Sequence, residues 1–261
     1  MVRIVFVDGA RATKPLFTFS QMKVIVCIPT YNERDSIAET IRGIFDLNRE
    51  ELSVIVIDDN SPDGTSNIVE EVSKAYPDSV TLIKRERKLG LGSAYSAGFQ
   101  RALDLGADLI LEMDADGSHD PGDLPALIDS VSGDVDVVVG SQRIKGGRIV
   151  GWGMHRYMMS WGAMWLSRLI LRLRPRDVTS GFRCYRRKAI QRLLAGGISS
   201  GGYAFQEETL YHCQQYGFRI LEIPITFRER RLGSSKLSWK DVVEFFKIMI
   251  RLRFRGRVQK N

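Results

Sequence analysis

Two aspartates one residue apart, Asp114 and Asp116, stand directly after the apolar run Asp108–Met113. A short apolar run followed by turn residues reads as a buried strand of a parallel sheet. Carboxylates at the C-terminal end of such a strand lie where open α/β sheets place their ligands. As hard oxygen donors they can hold a divalent cation, which in turn can hold the phosphates of a nucleotide. The pair is weak evidence alone, because loops also carry Asp-x-Asp for capping and solubility. A second acidic loop, Asp58-Asp59-Asn60-Ser61-Pro62-Asp63-Gly64-Thr65, combines good turn chemistry with a carboxylate able to accept hydrogen bonds from a ribose or base. Gly90-Leu91-Gly92 before a helix is either a tight turn or a phosphate cradle at the helix N-terminus.

The elements that must position these loops alternate regularly. Strands are expected at Met22–Pro29, Leu52–Ile57, Val80–Lys84, Asp108–Met113 and Val135–Gly140, with helices at Asp35–Asp46, Ser66–Tyr76 and Ser93–Leu105. Strands separated by single helices predict an α/β fold with a parallel sheet and right-handed crossovers. Three of the strands end in polar or acidic loops, which therefore share one sheet edge, the layout of a nucleotide site.

With 261 residues, 44% hydrophobic and 26% charged, the chain can bury a full core. Cys27, Cys184 and Cys213 are odd in number and widely spaced, so neither a disulfide framework nor a zinc site is expected, which fits a reducing compartment. His119, His155 and His212 are scattered too. The net charge of +7 is unevenly placed: residues 1–142 hold 13 basic against 24 acidic side chains, residues 143–188 hold 12 against one, and residues 228–261 hold 11 against three. Basic blocks after an acidic half predict anionic partners met by the second half, while the acidic half would repel nucleic acid. No uncharged apolar run approaches the ~20 residues that span a bilayer. A secretory leader is not expected, since the first turn carries Asp8. Residues 1–21 read as an extension ahead of the regular pattern, either a further strand around Arg3–Val7 or a start assigned upstream.

Taken together and in order, Pro29-Thr30-Tyr31-Asn32-Glu33, the 58–65 loop, Gly90-Leu91-Gly92-Ser93-Ala94 and Asp114-Ala115-Asp116 resemble family 2 glycosyltransferases of the GT-A fold, a Rossmann-like, mostly parallel sheet flanked by helices. More narrowly they resemble polyprenol-phosphate (dolichol-phosphate) mannose synthases. Gly140-Ser141-Gln142-Arg143, Gly146-Gly147, Thr179-Ser180-Gly181-Phe182-Arg183 and the Phe227…Arg230…Gly233…Ser235-Lys236 segment extend the resemblance to about residues 22–240.

The resemblance implies that Pro29, Tyr31, Glu33 and Asp59 cup the nucleoside of a donor, with Ile57 lining the pocket through its backbone. It implies that Asp114, Ala115 and Asp116 face the diphosphate and a Mg²⁺ or Mn²⁺ ion, with Asp116 the direct ligand. The family often has Gln or Glu two positions on as a further ligand; here it is Ser118, a shorter group, so the third place in the metal's ligand set goes to Ser118 or else to water, His119 or Asp120. Arg230 and Lys236 match the positions that offset charge on the leaving diphosphate. Arg143, Arg156 and Ser160 match positions for an acceptor phosphate, and a phosphate acceptor needs cations more than a general base. Arg143 is thereby assigned to donor and acceptor alike.

Residues 155–174 read as a helix with Arg156, Ser160, Arg168 and Arg172 along one line and Met158, Trp161, Trp165, Leu169 and Leu173 on other faces, either an interfacial helix or a core helix. A final helix, Ser238 to about Arg253, puts Lys240, Glu244, Lys247 and Arg251 on one face and Phe245, Phe246, Met249 and Leu252 elsewhere, and a basic tail follows. The expected organisation is an extension (1–21), a catalytic domain (22–237) and a basic amphipathic end (238–261). The expected activity is transfer of mannose from GDP-mannose to dolichyl or polyprenyl phosphate at the cytoplasmic face of a membrane, with peripheral attachment and a separate membrane subunit as a further partner. Transfer of glucose from UDP-glucose and a non-catalytic nucleotide- or nucleic-acid-binding role are the alternatives.

Overall fold

The computed structural model describes residues 22–200, 202, 204–229 and 239–254, with side chains left out for 239–244. The expected alternation is found almost at its expected bounds: β1 (Val24–Thr30), α1 (Ile37–Phe45), β2 (Leu52–Asp58), α2 (Thr65–Ser73), β3 (Val80–Lys84), α3 (Leu91–Asp104), β4 (Leu109–Glu112), α4 (Leu124–Asp129) and β5 (Val135–Ser141). Beyond them come β6 (Arg148–Val150), α5 (Met154–Leu171), β7 (Arg183–Arg186), α6 (Arg187–Gly196), α7 (Phe205–Gln215), β8 (Arg219–Pro224), β9 (Thr226–Arg228) and α8 (Trp239–Phe254). Seven strands form one sheet in the order β3-β2-β1-β4-β7-β5-β8, and β6 pairs with β9 in a small second sheet.

The apolar runs form strands because both sheet faces are covered: Val24, Val26 and Ile28 pack on one side, Ile25 and Cys27 on the other, all fully buried. Cys27, Cys184 and Cys213 are buried free thiols. One strand makes the sheet mostly rather than wholly parallel, as in the fold that the sequence resembles. β7 runs antiparallel to both β4 and β5, with Arg183 opposite Glu112 and Val139. This reversal has a use, since it starts β7 at the edge where β1, β2, β4 and β5 end and so delivers the 177–182 segment there.

Close approaches fix two glycines. A Cβ on Gly147 would lie 2.5 Å from the Ser141 carbonyl oxygen, and one on Gly92 only 2.0 Å from that of Ser200. Gly92 thus serves helix-to-loop packing. Alanine there gains about 1 kcal/mol of helix propensity, but backbone must move to admit it. Gly92→Ala is therefore expected to lose a net ~1–3 kcal/mol, measured by urea unfolding. Gly98→Ala meets side chains rather than backbone, the Ile57 Cδ1 at 2.7 Å and the Cys27 Sγ at 3.3 Å, and is expected to cost less.

The two helices read for membrane contact are corrected in detail. α5 ends at Leu171, Arg172 leaves it with φ +53°, and Leu173 turns into the core rather than lying on an outer face. The outer face of α5 nevertheless carries Met154, Met158, Trp161, Trp165 and Leu169, all more than half exposed. α8 lies against α5 and buries Ile248, Met249 and Leu252, so Met249 and Leu252 are core residues while Phe246, Ile250 and Phe254 face outward. The side chains of Lys240 and Glu244 lie outside the described residues. No helix among the described residues is long and apolar enough to cross a membrane.

Candidate active site

β1 and β2 lie side by side, with Pro29 opposite Ile57 and Thr30 opposite Asp58, so their two following loops meet. The second loop holds the first. Backbone N–H groups of Asn32, Glu33 and Arg34 donate to Ser61 Oγ (3.0 Å), Thr65 Oγ1 (3.0 Å) and Asp63 Oδ2 (3.1 Å). Asp58 accepts from Thr30 Oγ1, Ser61 N and Oγ, and Ser66 Oγ. Much of the acidic loop is therefore scaffold. Burial alone would raise the Asp63 carboxyl, but its bonds from Thr65 and Arg34 outweigh that and hold it below the usual range.

Asp59 plays a different part. Its Oδ1 lies 2.8 Å from Arg85 Nη1, and its Oδ2 accepts from the N–H groups of Leu89 (3.0 Å) and Gly90 (3.2 Å). This arrangement fixes the 85–90 loop. It also takes up two of the amides that a phosphate cradle at Gly90 would use. The same loop sets Lys88 Nζ 4.0 Å above the Tyr31 ring, so Tyr31, half-buried beside Pro29 and Glu33, carries a cation on one face. Ile57 is fully buried, its side chain in the core.

β4 lies next to β1 and presents the Asp-x-Asp turn at the same edge. Asp114 and Asp116 are half-buried. Asp116 Oδ1 accepts from Ser118 N (3.0 Å), closing a turn through Gly117 at φ +75°. Asp114 Oδ1 lies 3.5 Å from the Tyr95 hydroxyl, and Ala115 is buried with its carbonyl accepting from Thr40 Oγ1. His119 is 2% exposed, and its Nδ1 accepts from Asp114 N at 3.1 Å. Burial lowers its pKa to about 4, so the ring is neutral. His119 thus holds the loop, and Asp120 caps the following turn through Gly122 N. Ser118 is buried, with its Oγ lacking a hydrogen-bond partner among the described residues.

No group of three or more His, Cys, Asp or Glu side chains converges on a point among the described residues. Two half-buried carboxylates are the donor set that suits a hard cation completing its shell with water and phosphate oxygens, as Mg²⁺ does. The residues present fit a metal that arrives with a diphosphate.

Across the edge, the structure brings the three acceptor-phosphate candidates together. Arg143, just past β5, donates from Nη2 to Ser160 Oγ on α5 at 2.9 Å. Arg156, one turn earlier on α5, pairs with Glu229 Oε1 at 2.6 Å. Their common neighbour is Trp152, which sequence reasoning missed: the guanidinium carbons of Arg156 and Arg143 lie 4.5 and 5.9 Å from its ring. Arg143 also lies 4.8 Å from the Tyr157 ring. The β6–β9 pairing places Trp152 5.6 Å from Phe227, which is 5.7 Å from His119. Two ring contacts therefore join the Asp-x-Asp loop to the cations. Arg230 and Lys236 lie outside the described residues.

Beneath the edge runs a buried polar network that composition could not locate. Arg183 is fully buried and donates to Gln206 O (2.8 Å), Thr209 Oγ1 (2.9 Å) and Val178 O (3.0 Å). Tyr185 Oη donates to Glu112 Oε1 at 3.0 Å. Burial pushes Glu112 up to about 7 and Glu207 to about 8. The signal for Glu112 was present, as a lone acid inside an apolar strand.

The family model for glycosyl transferase family 2 matches residues 25–194. A polyprenol monophosphomannose synthase of Mycolicibacterium smegmatis is 38% identical over 238 residues, 91% of this chain and 89% of that protein. An undecaprenyl-phosphate mannosyltransferase of Micrococcus luteus is 43% identical over 217 residues, 83% of this chain and 88% of that protein. Among solved structures, a glucosyl-3-phosphoglycerate synthase of Mycobacterium tuberculosis, crystallised with Mn²⁺, UDP and glucosyl-3-phosphoglycerate, superposes with a TM-score of 0.66 at 17% identity, covering 93% of this chain and 85% of that one. A mannosyltransferase of Pyrobaculum calidifontis, in complex with GDP-Man and Mn²⁺, gives 0.64 at 20% identity, covering 92% and 67%. The expected GT-A architecture is the one observed.

Proposed function

The chain belongs to glycosyl transferase family 2, and from that premise we propose that it is a polyprenyl-phosphate mannosyltransferase that takes mannose from GDP-mannose. The observation that carries the reading is one sheet edge bearing a carboxylate pair at one end and Arg143, Arg156 and Ser160 at the other. The two relatives named for this chemistry, at 38 and 43% identity, support the acceptor and the sugar.

In the reaction an oxygen of the lipid phosphate attacks the anomeric carbon as the bond from that carbon to the β-phosphate oxygen breaks, inverting the centre and releasing GDP. The phosphate is already an anion, so the site's task is to hold it in line and to receive charge on the leaving group. Arg143 and Ser160 hold the acceptor, while Asp114 and Asp116 face the diphosphate with Arg230 and Lys236. A divalent cation on the two aspartates supplies Lewis-acid stabilisation of the diphosphate. Tyr31, Glu33 and Asp59 receive the nucleoside.

The outward faces of α5 and α8 serve as a membrane-surface contact that meets the lipid, with residues 1–21 an extension and 238–261 the tether. The cytoplasmic leaflet and a separate membrane subunit belong to the same reading. Trp165→Glu is expected to weaken binding to anionic vesicles roughly tenfold, by removing apolar area and adding a repelled charge. Co-sedimentation equal to the unaltered chain would discard that face.

The reaction is tested by incubating the protein with polyprenyl phosphate and radiolabelled GDP-mannose, or UDP-glucose, with Mg²⁺ or with EDTA. Labelled lipid from GDP-mannose alone, lost in EDTA, is the expected result. Labelling from UDP-glucose would change the donor, and labelling from neither would return the chain to a non-catalytic role.

A further inference from the structure

Three N–H donors are left over where Arg143, bonded to Ser160, meets Trp152: Arg143 Nε and Nη1 and the Trp152 indole Nε1 are buried and have no hydrogen-bond partner among the described residues. A buried donor without a partner is costly to a fold, and three together mark a place that expects acceptors. Two guanidiniums lie on the Trp152 ring, so the acceptor that completes the site is an anion. We propose that Trp152 is a phosphate-binding residue, its indole N–H donating to the acceptor monophosphate held by Arg143 and Ser160.

The inference rests on the acceptor assigned under the proposed function and adds a ligand to it. Indole is suited to the position. Its π face tolerates both cations and so lessens their mutual repulsion, while its edge offers one neutral donor that no titration removes. The ring is fixed against Phe227, which keeps the N–H from turning away. Admission of the anion requires a side chain to move, since the three donors are closed to water. The movable piece is the Arg156–Glu229 pair, both partners more than a third exposed and therefore weakly held. The Glu229 Cβ lies 2.8 Å from the Cβ position of Gly151, directly beside Trp152. Its carboxylate is the internal anion that an arriving phosphate displaces.

Trp152→Phe removes the N–H with the five-membered ring and keeps a six-membered aromatic ring for Phe227 and the guanidiniums, so the uncharged control below separates the lost donor from the lost packing. Binding of farnesyl monophosphate in detergent is measured by calorimetry, with farnesol as the uncharged control, and acceptor KM and kcat are measured alongside. A hydrogen bond to a charged group predicts about tenfold or greater loss of affinity for the phosphate, with farnesol unaffected and KM rising more than kcat falls. Trp152→Leu should lose more, and a purely structural role would move phosphate and alcohol together. Unchanged phosphate affinity in Trp152→Phe overturns the proposal, as does equal affinity of the unaltered protein for farnesol and its phosphate. If the unaltered protein transfers no sugar yet discriminates phosphate through Trp152, the reaction fails and this inference stands.

Discussion

Asp116→Asn is expected to lower kcat for transfer by about 10²–10³-fold, the cost of deleting one charge-stabilising group aimed at a developing charge, while the melting midpoint moves by only a degree or two. The asymmetry follows from how the side chain is held. Its Oδ1 accepts from Ser118 N and closes the turn through Gly117. The asparagine amide retains that oxygen acceptor, so the turn has no reason to open. What it loses is the negative charge, and a neutral amide is a poor ligand for the hard cation that two carboxylates suit. Asp116→Ala deletes the turn bond as well and should lose some stability with its activity. The pair is read by initial rates at saturating donor and acceptor, with GDP affinity titrated at fixed Mg²⁺. An Asp116→Asn protein retaining a tenth of the rate would remove Asp116 from the leaving-group end of the site.

The sheet was legible because its strands are buried on both faces and so appear as unbroken apolar runs: β3 was placed to the residue, and β1, β2, β4 and β5 to within one or two at either end. β7 escaped that reading because Arg183-Cys184-Tyr185-Arg186 is polar at both ends and too short to show a period. Its polarity has a cause only in three dimensions, where Arg183 answers Glu112 across the sheet. Loop roles were harder still. The acidic loop after β2 looks uniform in sequence, yet Asp58 and Asp63 tie down their own loop and the turn after β1, while Asp59 reaches Arg85 and the backbone of Leu89 and Gly90, a division set by which neighbouring segment each carboxylate faces. Trp152 could not be singled out at all. It follows no motif, and its meaning comes from cations supplied by β5 and α5, elements joined only by the fold.

Arg183→Met is expected to destabilise the protein by about 3–5 kcal/mol at pH 8.5, the usual result of breaking a buried charged network from one side, and by clearly less at pH 5. In a chain of this size that corresponds to a fall of roughly 10 °C in Tm. Two components add. Removing the guanidinium strips donors from Gln206 O, Thr209 Oγ1 and Val178 O at any pH. It also deletes the cation beside Glu112 and Glu207, and that part depends on pH. Burial raises Glu207 to about 8 and Glu112 to about 7 from an ordinary 4.5. Between pH 4.5 and 8 the native state therefore holds protons that the unfolded chain has released, so stability falls as pH rises through that window. At pH 5 both acids are neutral in the native state and Arg183 has less charge to balance. At pH 8.5 they tend to ionise, and without Arg183 they face an apolar interior with no counter-charge. Glu207→Gln mimics the protonated acid and should reverse the trend, raising stability above pH 8 and leaving it nearly unchanged at pH 5. Urea unfolding of the three proteins at both pH values decides the matter. An Arg183→Met penalty that is the same at each would mean that the network is held by hydrogen bonds alone and that the charges of Glu112 and Glu207 are balanced elsewhere.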